Sequence, residues 1–144
     1  MALDVMDSIS VRAVCDIDAD GLADAVESLE AEERYLDYDD MLARSDLDAV
    51  ILGTPMQFHV PQAIAALNKN VHVLSEVPVW VSVEECRELV TAEGRSSATY
   101  MMAENYTYQR SNQIIKEIVR QRLFGTPYYA EGDYLHGGKP SISN

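Results

Sequence analysis

The sequence predicts an α/β fold, built as a doubly wound parallel sheet with helices on both faces. Short apolar runs of the buried-strand kind alternate with helical patterns along the chain, and turn residues separate them. The length of 144 residues and the 47% hydrophobic content allow a packed core of ordinary domain size.

The first half of the chain contains two predicted strands and three predicted helices. Apolar and β-branched residues predict strands at Val11–Cys15 and Ala49–Leu52. Helical periodicity predicts helices at 18–30, 38–44 and 59–68. The first of these helices is amphipathic, and its apolar face is formed by Leu22, Ala25, Val26 and Leu29.

The second half continues the alternation. Strands are predicted at Val71–Leu74, Ala98–Ala103 and Tyr128–Leu135, and a long helix at about Tyr108–Leu123. Another helix is predicted from Ser82, because Ser82-Val83-Glu84-Glu85 forms a capping box that satisfies free N–H groups at a helix start.

Charge and composition exclude several classes of partner. Eleven basic residues face 24 acidic ones, for a net charge of −13, whereas nucleic acids and anionic membranes need a basic surface. No apolar run approaches the roughly 20 residues of a membrane span. The two cysteines, Cys15 and Cys86, do not form a disulfide framework, so a cytoplasmic location is expected. No group of residues has convincing metal-ligand spacing, so no metal is expected.

Ligands of parallel α/β sheets bind beyond the carboxyl ends of the strands. The residues that directly follow predicted strands are therefore the candidates for a site. They are Asp16, Thr54-Pro55, Glu76-Val77-Pro78 and Glu104-Asn105.

Asp16 has two interpretations. An acid at a strand end in a dinucleotide-binding sheet accepts hydrogen bonds from the adenosine ribose, and its charge disfavours a 2′-phosphate. Alternatively, Asp16 or Asp18 only caps the next helix. The seven glycines form no G-x-G-x-x-G loop. Either the fold is not dinucleotide-binding, or the chain begins after the first strand.

Several spaced motifs resemble one known family. VRAVCDIDADGLADAVE, at residues 11–27, is similar to the second strand, ribose acid and helix of the Gfo/Idh/MocA oxidoreductases. Residues 35–78, which include DAVILGTPMQFHVPQAIAAL and SEVP, resemble the central signature of that family. SEVP, MMAENYTYQR, VRQRLFG and YAEGDYLH are closest to a branch that includes NAD-dependent glycosidases of the N-acetylgalactosaminidase type.

This resemblance implies a Rossmann-like sheet that lacks its first strand and glycine-rich loop. It divides the chain into an incomplete dinucleotide-binding domain at residues 1–125 and the start of an α+β substrate and oligomerisation domain at residues 126–144. The implied cofactor is NAD, with NADP less favoured, and the longer parent protein is expected to be a homo-oligomer.

The resemblance also implies roles for individual residues. Asp16 would hold the adenosine ribose, Glu76 would lie near the nicotinamide ribose, and Asn105 near the nicotinamide and substrate. The turn over the cofactor would be formed by Thr54 and Pro55, with His59 close by. Tyr134 and His136 would face the substrate.

One residue departs from the pattern of the family. Most members have lysine within Glu-Lys-Pro, where it serves in acid/base chemistry, whereas this chain has Val77. Valine cannot transfer a proton, so the acid/base role would pass to Tyr134 or His136.

Three functions stay open at this point. The resemblance implies an oxidoreductase that moves hydride between a sugar or cyclic polyol and NAD. The first alternative is a glycosidase that works by transient oxidation and elimination. The second alternative is a non-catalytic fragment or binding module.

Overall fold

The computed structural model describes residues 9–133, which form two compact units. The first unit extends to Glu104 and the second begins at Asn105. Each unit is described by itself below. The domain boundary expected after residue 125 stays a prediction.

The strands that the structure describes in the first unit all pair in parallel. β1 (Ala13–Cys15) pairs with β2 (Glu33–Tyr35). A second sheet has the order β3 (Ala49–Leu52), β4 (His72–Ser75) and β5 (Tyr100–Met102). Parallel pairing requires crossover connections, and the helices of the first unit supply them. The predicted parallel α/β fold is confirmed.

Within residues 9–133, four α-helices belong to the first unit and one to the second. In chain order they are α1 (Ala19–Leu29), α2 (Tyr38–Arg44), α3 (His59–Leu67), α4 (Val83–Glu93) and α5 (Arg110–Arg120). All five confirm predicted helices to within three residues at each end. Asp18 caps α1, Asp37 caps α2 and Ser82 caps α4, each by accepting backbone N–H groups.

The core lies between α3, α4 and one face of the three-stranded sheet. Alternation along the strands buries Val50, Leu52 and Val73, while Ile51 on the other face is 60% exposed. Val60 and Leu67 of α3 are almost completely buried against this cluster. The sheet therefore rests on α3, and its carboxyl edge lies at the start of that helix.

Two strand predictions need correction. The sequence does not predict β2, because Glu33-Arg34-Tyr35 contains no apolar run. This strand is held by pairing with β1 and by an ion pair between Arg12 and Glu33 at 3.0 Å. The strand expected at Tyr128–Leu135 is wrong over Tyr128–Asp133, where the backbone is irregular and pairs with no strand of the described part. An isolated extended segment has no ladder to satisfy its N–H and C=O groups. Residues 134 and 135 lie outside the described residues.

The second unit contains a 3₁₀ turn at Asn105–Tyr108 followed by α5. Asn112 and Gln113 fix this turn to the helix by donating to the carbonyl oxygens of Tyr106 and Thr107. Within residues 9–133, no helix has the length and apolar content that crossing a membrane requires.

Candidate functional site

The loops that follow β3, β4 and β5 begin side by side. The backbone N–H of Glu76 donates to Leu52 O at 2.8 Å, and that of Ala103 donates to Ser75 O at 2.8 Å. These two bonds extend the sheet by one residue beyond its strands. The carboxyl edge therefore brings the Thr54-Pro55 turn next to the loop of Glu76, Val77 and Pro78, as parallel strands require.

The Thr54-Pro55 turn is held by the following helix. The Thr54 hydroxyl donates to Gln62 Oε1 at 2.6 Å, and Pro55 leads into a 3₁₀ turn over Met56–Phe58. Pro55 is exposed, whereas Thr54 is half-buried. The turn is thus held in place on one side and exposed to solvent on the other.

His59 is the first residue of α3, and its ring packs against the Thr54-Pro55 turn. Its side chain is only 2% exposed. Its Nε2 lies 2.6 Å from Thr54 O, and its Nδ1 lies 2.8 Å from Pro78 O. His59 therefore contacts both loops of the edge, while its ring is shielded from solvent.

The loop after β4 carries an exposed carboxylate. Glu76 Oε2 accepts from the backbone N–H of Val77 at 3.3 Å, and the Val77–Pro78 peptide is cis. Val77 is 45% exposed at the position where most of the family that the sequence resembles has lysine. An apolar side chain there can exclude water but cannot transfer a proton.

The structure separates the two interpretations of Asp16. Asp18 caps α1, because its carboxylate accepts from the N–H groups of Asp20 and Gly21. Asp16 is exposed, and its Oδ1 accepts only from the N–H of Asp18, at 2.9 Å. Within the described chain the other oxygen of Asp16 has no hydrogen-bond partner. Asp16 therefore presents a carboxylate oxygen to solvent at the end of β1.

A second carboxylate lies near the same strand end. Burial raises the pKa of the Cys15 thiol, and the negative charges of Asp37 and Asp16 raise it further. Both carboxylates are therefore close enough to Cys15 to act on it electrostatically. The end of β1 is an acidic surface that disfavours additional negative charge.

The structure brings only part of the predicted set together. Thr54, His59 and the Glu76 loop share one edge, whereas Asp16 follows the two-stranded sheet and is joined to them by no hydrogen bond among residues 9–133. Asn105 is exposed at the start of the second unit. Tyr134 and His136 lie outside the described residues. The roles of all these residues stay predictions.

Sequence reasoning missed two residues that build the site. Gln62 accepts from the Thr54 hydroxyl, and its backbone oxygen accepts from the Tyr38 hydroxyl at 3.0 Å. Its position three residues after His59, on the same side of a helix, could have indicated it. Asp37 was overlooked because β2, which precedes it, was not predicted.

No group of three or more histidine, cysteine or acidic side chains between residues 9 and 133 is arranged to hold an ion. The available chemistry is that of exposed carboxylates, a fixed turn and a buried imidazole.

Two comparisons with curated proteins show long stretches of similarity. The chain is 33% identical over 140 residues to a glycosyl hydrolase family 109 protein of Shewanella pealeana. The aligned stretch covers 91% of this chain and 31% of that protein. A protein of the same name from Shewanella woodyi is 34% identical, over 91% of this chain and 30% of its own length. The chain thus spans about a third of the length of these relatives.

Solved structures share the fold. The scyllo-inositol dehydrogenase of Lactobacillus casei, with bound NAD(H) and scyllo-inositol, matches with a TM-score of 0.78 and 26% identity, over 86% of this chain and 38% of that one. The WlbA dehydrogenase of Chromobacterium violaceum, in complex with NADH and UDP-GlcNAcA, matches with a TM-score of 0.79 and 30% identity, over 85% of this chain and 35% of that one.

The family comparison covers most of the first unit. Residues 2–104 match the model of the Gfo/Idh/MocA oxidoreductase family, NAD-binding Rossmann fold. The parallel sheet, the acid after β1 and the turn after β3 agree with that assignment. The chain therefore belongs to the Gfo/Idh/MocA family of oxidoreductases, and its residues 2–104 correspond to the NAD-binding Rossmann fold of that family.

Proposed function

We propose that this chain binds NAD, in preference to NADP, as part of an oxidoreductase that acts on a sugar or cyclic polyol. The observation that carries the proposal is the solvent-facing carboxylate oxygen of Asp16 at the end of β1. A carboxylate with a free oxygen can accept from ribose hydroxyls, and its charge repels a 2′-phosphate. The neighbouring charge of Asp37 adds to that repulsion.

The other edge residues would then serve the nicotinamide end. The exposed carboxylate of Glu76 would accept hydrogen bonds from the hydroxyls of the second ribose, and the Thr54-Pro55 turn would contact the cofactor. NAD, when bound, supplies the hydride acceptor. Val77 cannot take the proton of a substrate hydroxyl, so we assign that proton to Tyr134 or His136. Asn105 would help to orient the substrate.

The test is a calorimetric titration of the purified chain with NAD and with NADP. The wild type should bind NAD more tightly. Asp16→Asn should weaken NAD binding about tenfold, the effect of losing a charge-assisted hydrogen bond, and should reduce the preference over NADP. Asp18→Asn is the matched control, because asparagine caps helices as well as aspartate does. Equal loss in both variants would contradict the assignment of Asp16.

A glycosidase that uses the same cofactor is the second candidate. The glycosyl hydrolase family 109 relatives favour it, as does Val77 in place of a catalytic lysine. Hydride transfer from one ring carbon to NAD would acidify the C–H of its neighbour, and elimination would expel the aglycone. Water would then add to the resulting double bond, and return of the hydride would reduce the ketone and regenerate NAD.

Net cofactor reduction separates the two candidates. The chain is incubated with NAD and either a cyclic polyol or an aryl N-acetylgalactosaminide. Accumulation of NADH with the polyol supports the dehydrogenase, and release of the aryl group without NADH supports the glycosidase. NAD binding without either reaction would identify a non-catalytic binding unit.

A further inference from the structure

The two sheets of the first unit carry different parts of the candidate site. Asp16 and Asp37 follow the strands of the two-stranded sheet, whereas Thr54 and Glu76 follow strands of the three-stranded sheet. No strand pairing joins the two sheets within the described residues. Their relative position is therefore set by packing and by individual hydrogen bonds, so a bond that crosses between them bears on the spacing of the site.

Tyr38 makes such a bond. It is the first residue of α2, directly after Asp37, and its hydroxyl donates to the backbone oxygen of Gln62 on α3 at 3.0 Å. A carbonyl oxygen only accepts, so chemistry fixes the direction of this bond. A helical carbonyl oxygen has a second lone pair beside the one that is used within its helix, so Tyr38 adds a bond and displaces none.

The phenol of Tyr38 also lies close to the end of β1. Burial raises the pKa of Tyr38, and the charges of Asp39 and of the ionised Cys15 thiol raise it further. An electrostatic effect of this kind needs proximity, and Cys15 is the last residue of β1, directly before Asp16. Because its pKa is raised, the hydroxyl keeps the proton that it donates to Gln62 throughout the neutral range.

Gln62 extends the contact from α3 to the turn after β3. Its side-chain Oε1 accepts from the Thr54 hydroxyl at 2.6 Å, while its backbone oxygen accepts from Tyr38. Thr54 leads into the 3₁₀ turn at Met56–Phe58, whose last N–H donates to Pro55 O at 2.9 Å. One residue thus bonds both to the helix that follows β2 and to the turn that follows β3.

We propose that Tyr38 and Gln62 are positioning residues that hold the acidic strand ends of the two-stranded sheet at a fixed distance from the Thr54-Pro55 turn. This inference rests on the proposed function, in which the two places bind the two halves of one dinucleotide. Two joined half-sites act together only when their spacing matches the ligand. A link that fixes this spacing should therefore favour the whole cofactor and leave the affinity for either half unchanged.

The first test compares the whole cofactor with its halves. The purified chain is titrated calorimetrically with NAD, with ADP and with nicotinamide mononucleotide. Tyr38→Phe keeps the ring and removes the donor. We expect this variant to weaken NAD binding about fivefold, the effect of losing one hydrogen bond, and to change the binding of either half by less than about twofold.

Tyr35→Phe is the matched control. It removes a hydroxyl that bonds to Glu33 and Ser45, both on the same side of the proposed link, so it should leave all three affinities unchanged. Equal weakening of NAD and ADP binding by Tyr38→Phe, or no weakening of NAD binding, would overturn the proposal.

Gln62→Met breaks the link at its other point. This variant keeps the backbone oxygen that Tyr38 uses and removes the amide that Thr54 uses, so it should reproduce the pattern of Tyr38→Phe. A chain of bonds fails when either bond is broken. The double variant should therefore bind NAD no more than about twofold less tightly than the weaker single variant. Losses that multiply would show two independent contributions and contradict the link.

Amide hydrogen exchange of the cofactor-free chain tests the link without NAD. The reporters are the N–H of Phe58, in the 3₁₀ turn, and that of Asp40, which donates to the Asp37 carboxylate at 2.8 Å. Tyr38→Phe should speed exchange at both reporters, by about threefold or more. Tyr35→Phe should leave exchange at Phe58 unchanged. Faster exchange at Asp40 alone would confine the role of Tyr38 to its own helix.

The two proposals fail in different ways. If the wild type binds neither NAD nor NADP, the proposed function fails, and the exchange pattern still decides whether Tyr38 holds the turn. If NAD binds and exchange at Phe58 does not respond to Tyr38→Phe, the link is wrong and the proposed function stands. If Tyr38→Phe does not fold, Gln62→Met supplies the same comparison of NAD with its halves.

Discussion

At the scale of single residues, Cys15 reports on the acidic end of β1. Its pKa is raised by burial and then by the charges of Asp37 and Asp16. The pKa of Cys15 is therefore higher in the folded chain than in the unfolded chain, which loses the thiol proton first as the pH rises. The contribution of Cys15 to the free energy of unfolding is thus present at neutral pH and is lost at alkaline pH.

Neutralising either carboxylate should lower the pKa of Cys15. We expect Asp37→Asn to lower it more than Asp16→Asn, because the Asp37 charge contributes more. Asparagine at residue 37 retains the cap of α2. The measurement is the pH dependence of Cys15 alkylation in a Cys86→Ser background. An unchanged midpoint in both variants would contradict the placement of these carboxylates.

Tyr100 is a buried phenol with an unsatisfied hydroxyl. Burial raises the pKa of Tyr100, and the nearby Ser75 hydroxyl partly opposes this rise. The Ser75 hydroxyl donates its proton to the Glu76 carbonyl oxygen and not to Tyr100. The Tyr100 oxygen has no hydrogen-bond partner within the described residues. An unmade buried hydrogen bond costs about 1–3 kcal/mol.

Tyr100→Phe should therefore stabilise the fold, by about 1 kcal/mol. Tyr35→Phe is the contrasting variant, because the Tyr35 hydroxyl donates to Glu33 at 2.8 Å and accepts from Ser45 at 3.2 Å. That variant should lose stability. Urea denaturation measures both free energies of unfolding. A loss of stability in Tyr100→Phe would mean that its hydroxyl has a partner.

Sequence reasoning found the positions of the site residues better than their contacts. Asp16 and Glu76 follow strands as expected, since a strand-end position is visible as the end of an apolar run. The two bonds of His59 could not be predicted, because Thr54 and Pro78 meet the ring only after the β3–α3–β4 crossover has folded. Such contacts depend on tertiary geometry and leave no local pattern.

At the scale of elements, Asn70 joins two connections at the amino end of the sheet. It ends the α3–β4 connection with a left-handed φ of 59°. Its Oδ1 accepts from the N–H of Ser97 at 3.0 Å and from its hydroxyl at 2.9 Å. Asparagine suits this position because it tolerates the left-handed region and supplies an acceptor.

Asn70→Ala should destabilise the chain by about 2 kcal/mol or more, through backbone strain and lost bonds. Asn70→Gly removes the bonds without the strain and should recover about 1 kcal/mol of that loss. Thermal unfolding compares the two. Because Asn70 lies at the opposite end of β4 from Glu76, affinity for NAD should not change. Equal stability of the two variants would contradict the strain at residue 70.

Helices were predicted more reliably than strands for a physical reason. A helix of 11 residues repeats its apolar face several times and carries a cap, as Asp18 and Ser82 do. β2 has three residues, two of them charged, and pairing with β1 decides its conformation. The same dependence on pairing explains why Tyr128–Asp133, despite its β-forming residues, is not a strand.

At the scale of the whole molecule, the fold and the family are established, and the activity is proposed. The spaced motifs specified the Rossmann fold because each joins a strand to the loop that follows it. They do not specify the substrate, because the chain spans about a third of the length of its relatives. Of the residues that are proposed to bind NAD, all but Asn105 lie in the first unit.

The most direct test of that claim is a thermal melt of the purified chain, alone and with NAD or NADP. A ligand that binds only the folded state adds about 2.7 kcal/mol of stability at a concentration about a hundredfold above its Kd. We predict a cooperative transition that NAD raises and NADP does not. A transition that neither cofactor shifts would contradict the proposal that this chain binds NAD.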